Sequence, residues 1–124
     1  MQHKEFCEAF AQMSRRPDVQ ARRLGRDAII DLTIHNSRPP DFGVEYDTAI
    51  VMVGRLRRER PDMSDETRPR RLFWREMLER VDRLMAPPHN LRLGEAVQKV
   101  LAYQRPSRWY MSHAAAKRML ASEE

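Results

Sequence analysis

The sequence predicts an all-α, mainly helical protein of about five to six short helices. Two observations carry that expectation. Apolar residues recur at three- and four-residue spacing through most of the chain, and prolines fall between the periodic stretches or at their starts. The length fits as well: 124 residues suit one compact unit, and a single helical domain over residues 1–124 is expected. Hydrophobic residues at 41% and charged residues at 33% argue for a packed core under a heavily solvated surface, and against a disordered chain.

Taken in order, the first helix is expected from His3 to Met13, where Phe6, Phe10 and Met13 repeat at helical spacing with Cys7 and Ala9 beside them. Pro17 suits a first helical turn, and a second helix is expected from there to Asn36. Ala28, Ile30, Leu32 and Ile34 also alternate as a strand would, so a minimal two-stranded pairing of extended segments stays open. Ser37 to Val44 must be a connector, because two prolines force extended geometry before them. Glu45 to Arg60 returns to helical spacing through Tyr46, Ala49, Ile50, Val53 and Leu56. After Pro61, Ser64 offers an N-cap, with Asp65 and Glu66 placed against the positive end of a helix dipole. The helix body from Leu72 to Met85 carries the clearest apolar stripe, Trp74, Met77, Leu78, Val81, Leu84 and Met85. Pro87 and Pro88 stop it. A further helix follows Asn90 and runs to about Gln104, and a last one spans His113 to Ser122 with Ser112 as N-cap and Met111 stapling onto Ala116.

An internal duplication organises these elements. Moving the chain against itself by 67 positions lays Leu24–Val53 on Leu91–Leu120 without gaps. Arg38, Pro39, Ala49 and Met52 then meet identical residues at Arg105, Pro106, Ala116 and Met119, while Phe42 meets Trp109. Each pseudo-repeat, about 24–53 and 91–120, reads as helix, Arg-Pro, aromatic in an extended segment, helix. The proline ends the first helix, the aromatic plugs the space between helices, and the alanine lets the second helix approach closely. Phe42 and Trp109 are therefore expected in equivalent environments.

The string WYMSHAAAKRML, preceded by RPSR, resembles segments of small bacterial proteins of the prophage and mobile-element kind, for which no activity is assigned. The same string is similar to the opening helix of excisionase-like winged-helix proteins. That resemblance implies a recognition helix downstream, but only residues 121–124 follow Leu120 in this sequence, so none is expected here.

Charge is the main pointer to function. Net charge is +5, and of 23 basic residues only Lys4, Lys99 and Lys117 are lysine. Arginine offers a permanently charged planar fork suited to phosphate, so DNA or RNA is the partner to weigh first. A GC-rich genome also enriches arginine, which is the plain alternative. The arginines gather at Arg15 to Arg26, at Arg55 to Arg60 and at Arg68 to Arg75. The expected phosphate-binding residues are Arg55, Arg57, Arg58, Arg68, Arg70, Arg71 and Arg75, with Arg68, Arg71 and Arg75 sharing a helix face. Glu76, Glu79 and Asp82 can balance that face. Trp74 belongs to the core stripe, leaving Phe73 and one of Trp109 and Tyr110 as exposed rings for base stacking. A conventional helix-turn-helix is not expected, because the connectors Arg38 to Val44 and Arg105 to Met111 are too long and contain proline.

Catalysis finds little support. His3 and Cys7 share a helix face, but two ligands do not make a metal site. His35, His89 and His113 are isolated in sequence. The four glycines form no phosphate loop, and Cys7 lies on an apolar face where a structural thiol is ordinary. No enzyme, cofactor or metal is expected. No apolar run spans a bilayer, and a single cysteine suits a reducing compartment, so a cytoplasmic protein is expected. The leading reading is a small nucleic-acid-associated accessory or regulatory protein. The alternative is an adaptor or homo-oligomeric module whose arginines meet an acidic partner and whose eight methionines supply an adaptable contact.

Overall fold

The computed structural model describes residues 2–59 and 61–123. Among these the fold is all-α: seven helices, α1 (His3–Arg15), α2 (Pro17–Ala21), α3 (Arg26–Asn36), α4 (Tyr46–Glu59), α5 (Arg68–Met85), α6 (Leu93–Tyr103) and α7 (His113–Ser122). No strand occurs among the described residues, so the alternation in Ala28–Ile34 does not make an extended pairing. Helix wins there because Ile30, Thr33 and Ile34, at three- and four-residue spacing, are the residues that become buried.

The expected helix from Pro17 to Asn36 is two helices. Arg23 adopts a left-handed φ of 53°, which a continuous helix does not permit, and Gly25 serves as an extended N-cap to α3. Pro17 does occupy the first turn of α2. The start of α5 also differs from expectation. Thr67, not Ser64, caps it, its Oγ1 accepting from the Arg70 backbone N–H at 3.3 Å. Ser64 instead sits in a turn, where its N–H and Oγ both donate to the Asp62 carboxylate. Asp65 and Glu66 thus precede the helix, and its first turn contains no acid. Ser112 caps α7 as expected, accepting from Ala115 N–H at 3.1 Å. The last position of the expected Glu45–Arg60 helix, Arg60, lies outside the described residues.

The chain divides into two compact units, Met1–Pro40 with Ser107–Glu124, and Asp41–Pro106. In the first, α1, α3 and α7 pack together. Its core is Phe6, Ile30, Ile34, Trp109, Ala116 and Leu120, with Met111 packed against that cluster. Trp109 stands edge-on to Phe6 with centroids 5.2 Å apart, and its Nε1–H donates to Ser37 Oγ at 2.9 Å. Its backbone N–H donates to the Ile34 carbonyl at 3.1 Å, one of the groups a helix end leaves unsatisfied.

In the second unit α5 packs against both α4 and α6, which also pack against each other. Phe42 meets Phe73 edge-on at 5.8 Å, and Phe73 meets Trp74 at 4.9 Å. Ala49 is fully buried, as is Ala116 in the first unit, so each alanine sits where a larger side chain would hold its helix off. Phe42 and Trp109 are 3% and 2% exposed, the equivalent burial expected of them.

Candidate nucleic-acid interface

The seven expected phosphate-binding arginines all lie in the second unit, on α4 and α5, but not in one patch. Arg57 on α4 pairs with Asp82 near the far end of α5. At 1.5 Å per residue, Asp82 stands about 21 Å along the helix axis from Arg68. The cluster from Arg55 therefore adjoins one end of α5, and the cluster from Arg68 forms the other.

Their side chains also differ in what they are free to do. Arg55 pairs with Glu59 at 3.3 Å, one turn on. Arg58 folds back over Gly54, whose missing Cβ would stand 3.0 Å from its Nη1. Arg70 is half-buried with its guanidinium over the rings of Phe73 and Trp74, 4.7 and 5.0 Å from their centroids. It caps the aromatic cluster, a role worth about 0.5–2 kcal/mol for such cation–ring contacts. Arg71 donates to the Glu66 carbonyl at 2.6 Å, holding the loop before α5 while remaining exposed. Arg68 and Arg75 are exposed, and among the described residues neither makes an ion pair or hydrogen bond. Arg68, Arg71 and Arg75 thus share one exposed face over the first two turns of α5.

The electrostatic setting sharpens that face. A helix N-terminus carries the equivalent of about half a positive charge, and acids are usually placed there. Here the first turn holds Arg68, Arg70 and Arg71 and no acid, with Asp65 and Glu66 lying before the Thr67 cap. Further along, the face changes sign: Glu79 and Asp82 are exposed, Asp82 holds Arg57, and Glu76 is committed to Arg80 at 2.8 Å. The exposed arginines of α5 thus lie mainly toward its start and its exposed acids toward its end.

The arginines from Arg15 to Arg26 lie in the first unit. Arg16 makes a two-pronged pair with Asp18 at 2.9 and 3.1 Å, which holds the Asp18 carboxyl below its usual range. Arg26 lies over the Phe10 ring at 5.4 Å. Arg15, Arg22 and Arg23 are exposed.

The expected stacking rings need correction. Phe73 and Trp109 are both buried, and Tyr110 is half-buried with the Arg108 guanidinium over its ring at 5.4 Å. Phe73 is covered because α5 packs against helices on two sides, so its buried sector is wider than the stripe through Trp74. The ring most open to solvent is Tyr103, 81% exposed at the end of α6, with the Lys99 ammonium 5.9 Å from its centroid. Helical spacing gives no signal of this, since Tyr103 stands seven residues after Ala96 and three after Val100 and so continues the apolar stripe; it faces solvent as the last residue of α6.

Two further features stand apart. On α4, Asp47, Thr48, Val51, Met52 and Arg55 line an open, mainly apolar depression of about 420 Å³, with Val51 67% exposed. At the chain ends, Glu123 joins the His3 and Cys7 pair, and one donor atom from each lies within 4.8 Å of the others. His3 Nε2 contacts Glu123 Oε1 at 3.1 Å and Ser122 Oγ at 3.1 Å. Burial and the neighbouring Glu123 carboxylate push the Cys7 thiol pKa up, which opposes the thiolate a metal would need.

No protein-family model, curated protein or solved structure matches this chain. Among the described residues no helix is long and apolar enough to cross a membrane.

Proposed function

We propose that this protein is a nucleic-acid-associated accessory or regulatory protein that grips phosphates through the N-terminal face of α5. The observation that carries the reading is the exposed set Arg68, Arg71 and Arg75 on the positive end of a helix with no acid in its first turn. A helix N-terminus and adjacent guanidinium groups both favour a bound phosphate. Arg70 and Arg57 serve the fold, through Phe73, Trp74 and Asp82. The contact tracks a backbone and reads no base edges, so DNA and RNA of unrelated sequence bind with similar strength. Tyr103 offers a ring on which an unpaired base stacks. No catalytic residue, cofactor or metal is part of this reading.

The test is fluorescence anisotropy with labelled duplex and single-stranded oligonucleotides across a salt series. Binding is expected at low salt and falls steeply as salt rises. Absence of binding at low salt, or affinity unchanged in the Arg68→Gln, Arg71→Gln, Arg75→Gln triple variant, overturns the proposal.

A protein-interaction module is the second reading, and the exposed apolar face of α4 at Val51 and Met52 favours it. Self-association abolished by Val51→Lys, in a protein that ignores nucleic acid, would make it the better one.

A further inference from the structure

At an offset of 67 residues the bounds of α3 and α6 and the starts of α4 and α7 coincide, while α2 has no counterpart. α3 begins at Arg26 and ends at Asn36, and α6 begins at Leu93 and ends at Tyr103. α4 begins at Tyr46 and α7 at His113. The agreement extends to backbone detail that neither burial nor helical spacing demands. Among the described residues the two non-glycine residues with left-handed φ, Arg23 and Asn90, stand 67 apart and both have φ of 53°. Each is followed two residues later by an extended N-cap, Gly25 at φ −75°, ψ 168° and Arg92 at φ −75°, ψ 161°. The same offset lays α1 along α5 and sets Phe6 on Phe73, both buried.

The packing partners then cross over. α1 packs on α3 as α5 packs on α6. The helix completing α1 and α3, however, is α7 from the second half, and the helix completing α5 and α6 is α4 from the first. The aromatic plugs obey the same exchange: Trp109 stands edge-on to Phe6, and Phe42 edge-on to Phe73. Two self-contained copies would pair Phe42 with Phe6 and Trp109 with Phe73.

We infer that the chain holds two copies of one three-helix module, α1–α3–α4 and α5–α6–α7, which complete each other by reciprocal exchange of the third helix. The surface formed by α1 and α3 is thus a docking site for one kind of partner, the Arg-Pro-aromatic segment and third helix of another copy of the module. Domain exchange preserves every native contact within a unit and changes only which segment supplies it. The hinges fit the task. Arg38 and Arg105 each precede a proline, which disfavours helical geometry and keeps the chain extended where it leaves one unit for the other, at Pro40 and Pro106.

The test cuts the full chain once, at a protease site inserted between Pro61 and Thr67. With exchange, the two pieces elute together as one folded species, and its thermal midpoint drops on dilution while that of the uncut protein does not. Two folded pieces that separate overturn the inference. To distinguish exchange from mere adhesion of the pieces, only the piece before the cut is isotope-labelled. Nuclear Overhauser contacts from the labelled Phe6 ring to the unlabelled Trp109 indole are expected. Contacts from Phe6 to Phe42 in their place overturn it. Should the insertion prevent folding, the same ring contacts in the uncut chain decide the matter.

Discussion

Trp109 is held through its backbone, its indole N–H and its ring contact with Phe6, so truncating it removes more than apolar area. Trp109→Phe keeps the packing on Phe6 but deletes the hydrogen bond to Ser37 Oγ, whose own proton still goes to the Thr33 carbonyl at 2.6 Å. A loss of about 1 kcal/mol in chemical denaturation is expected, against about 3–5 kcal/mol for Trp109→Ala. Equal effects of the two variants would show that the ring packing matters little. Cys7 makes a second prediction at this scale. With its thiol pKa raised by burial and by Glu123, it reacts with a disulfide reagent at neutral pH more slowly in the folded than in the unfolded chain. Glu123→Gln speeds that reaction, since it removes the neighbouring charge that disfavours the thiolate. Single residues were unevenly legible in the sequence. The core place of Trp74 is legible from its position on a stripe, whereas that of Phe73, one position away, is not, because a stripe reports one packing partner and α5 has two.

Between elements, His113 ties the start of α7 to α3, with Nδ1 at 2.7 Å from Asp31 and Nε2 at 3.3 Å from Asp27. The hydrogen bond to Asp31, followed by that to Asp27, raises the His113 pKa above its ordinary 6.5. Lys117, also on α7, faces Asp27 at 3.5 Å. A group whose folded pKa is raised stabilises fully below its unfolded value and loses that contribution as pH rises through the folded value. The thermal midpoint should therefore fall as pH climbs from about 6.5 through the raised His113 value, and His113→Gln should flatten that stretch of the profile. An unchanged slope in the variant would remove His113 from the account. Helix caps give the other prediction at this scale. Thr67→Ala costs about 1 kcal/mol by removing a cap, while Ser64→Ala stays within about 0.5 kcal/mol because Ser64 caps no helix. Helices were the most legible part of the sequence, since their apolar spacing is local. The break at Arg22–Gly25 and the choice of Thr67 over Ser64 were not, because both depend on where tertiary packing starts and stops a helix that the local sequence would tolerate in either register.

Across the whole molecule, a net charge of +5 says little until each arginine is assigned its neighbours. The sequence located the clusters but could not tell Arg57, neutralised by Asp82 twenty-five positions away, from Arg75, which faces solvent. That distinction sets different outcomes for otherwise identical substitutions. An arginine that displaces a counterion from duplex DNA steepens the dependence of log K on log salt by about 0.9, and from a single strand by about 0.7. Replacing Arg68, Arg71 and Arg75 by Gln singly should make the slope shallower by up to that amount each, with circular dichroism and thermal midpoint little changed for Arg68 and Arg75, which hold nothing in the fold. Arg57→Gln should do the reverse, leaving the salt slope intact and lowering the midpoint, because Asp82 loses its partner. Arg70→Gln should also act on the midpoint, through the uncovered Phe73 and Trp74 rings. If the salt slope instead changed by the same amount for Arg57 as for Arg75, the charge would act as a diffuse field of the whole molecule, and the N-terminal face of α5 would have no special claim on phosphate.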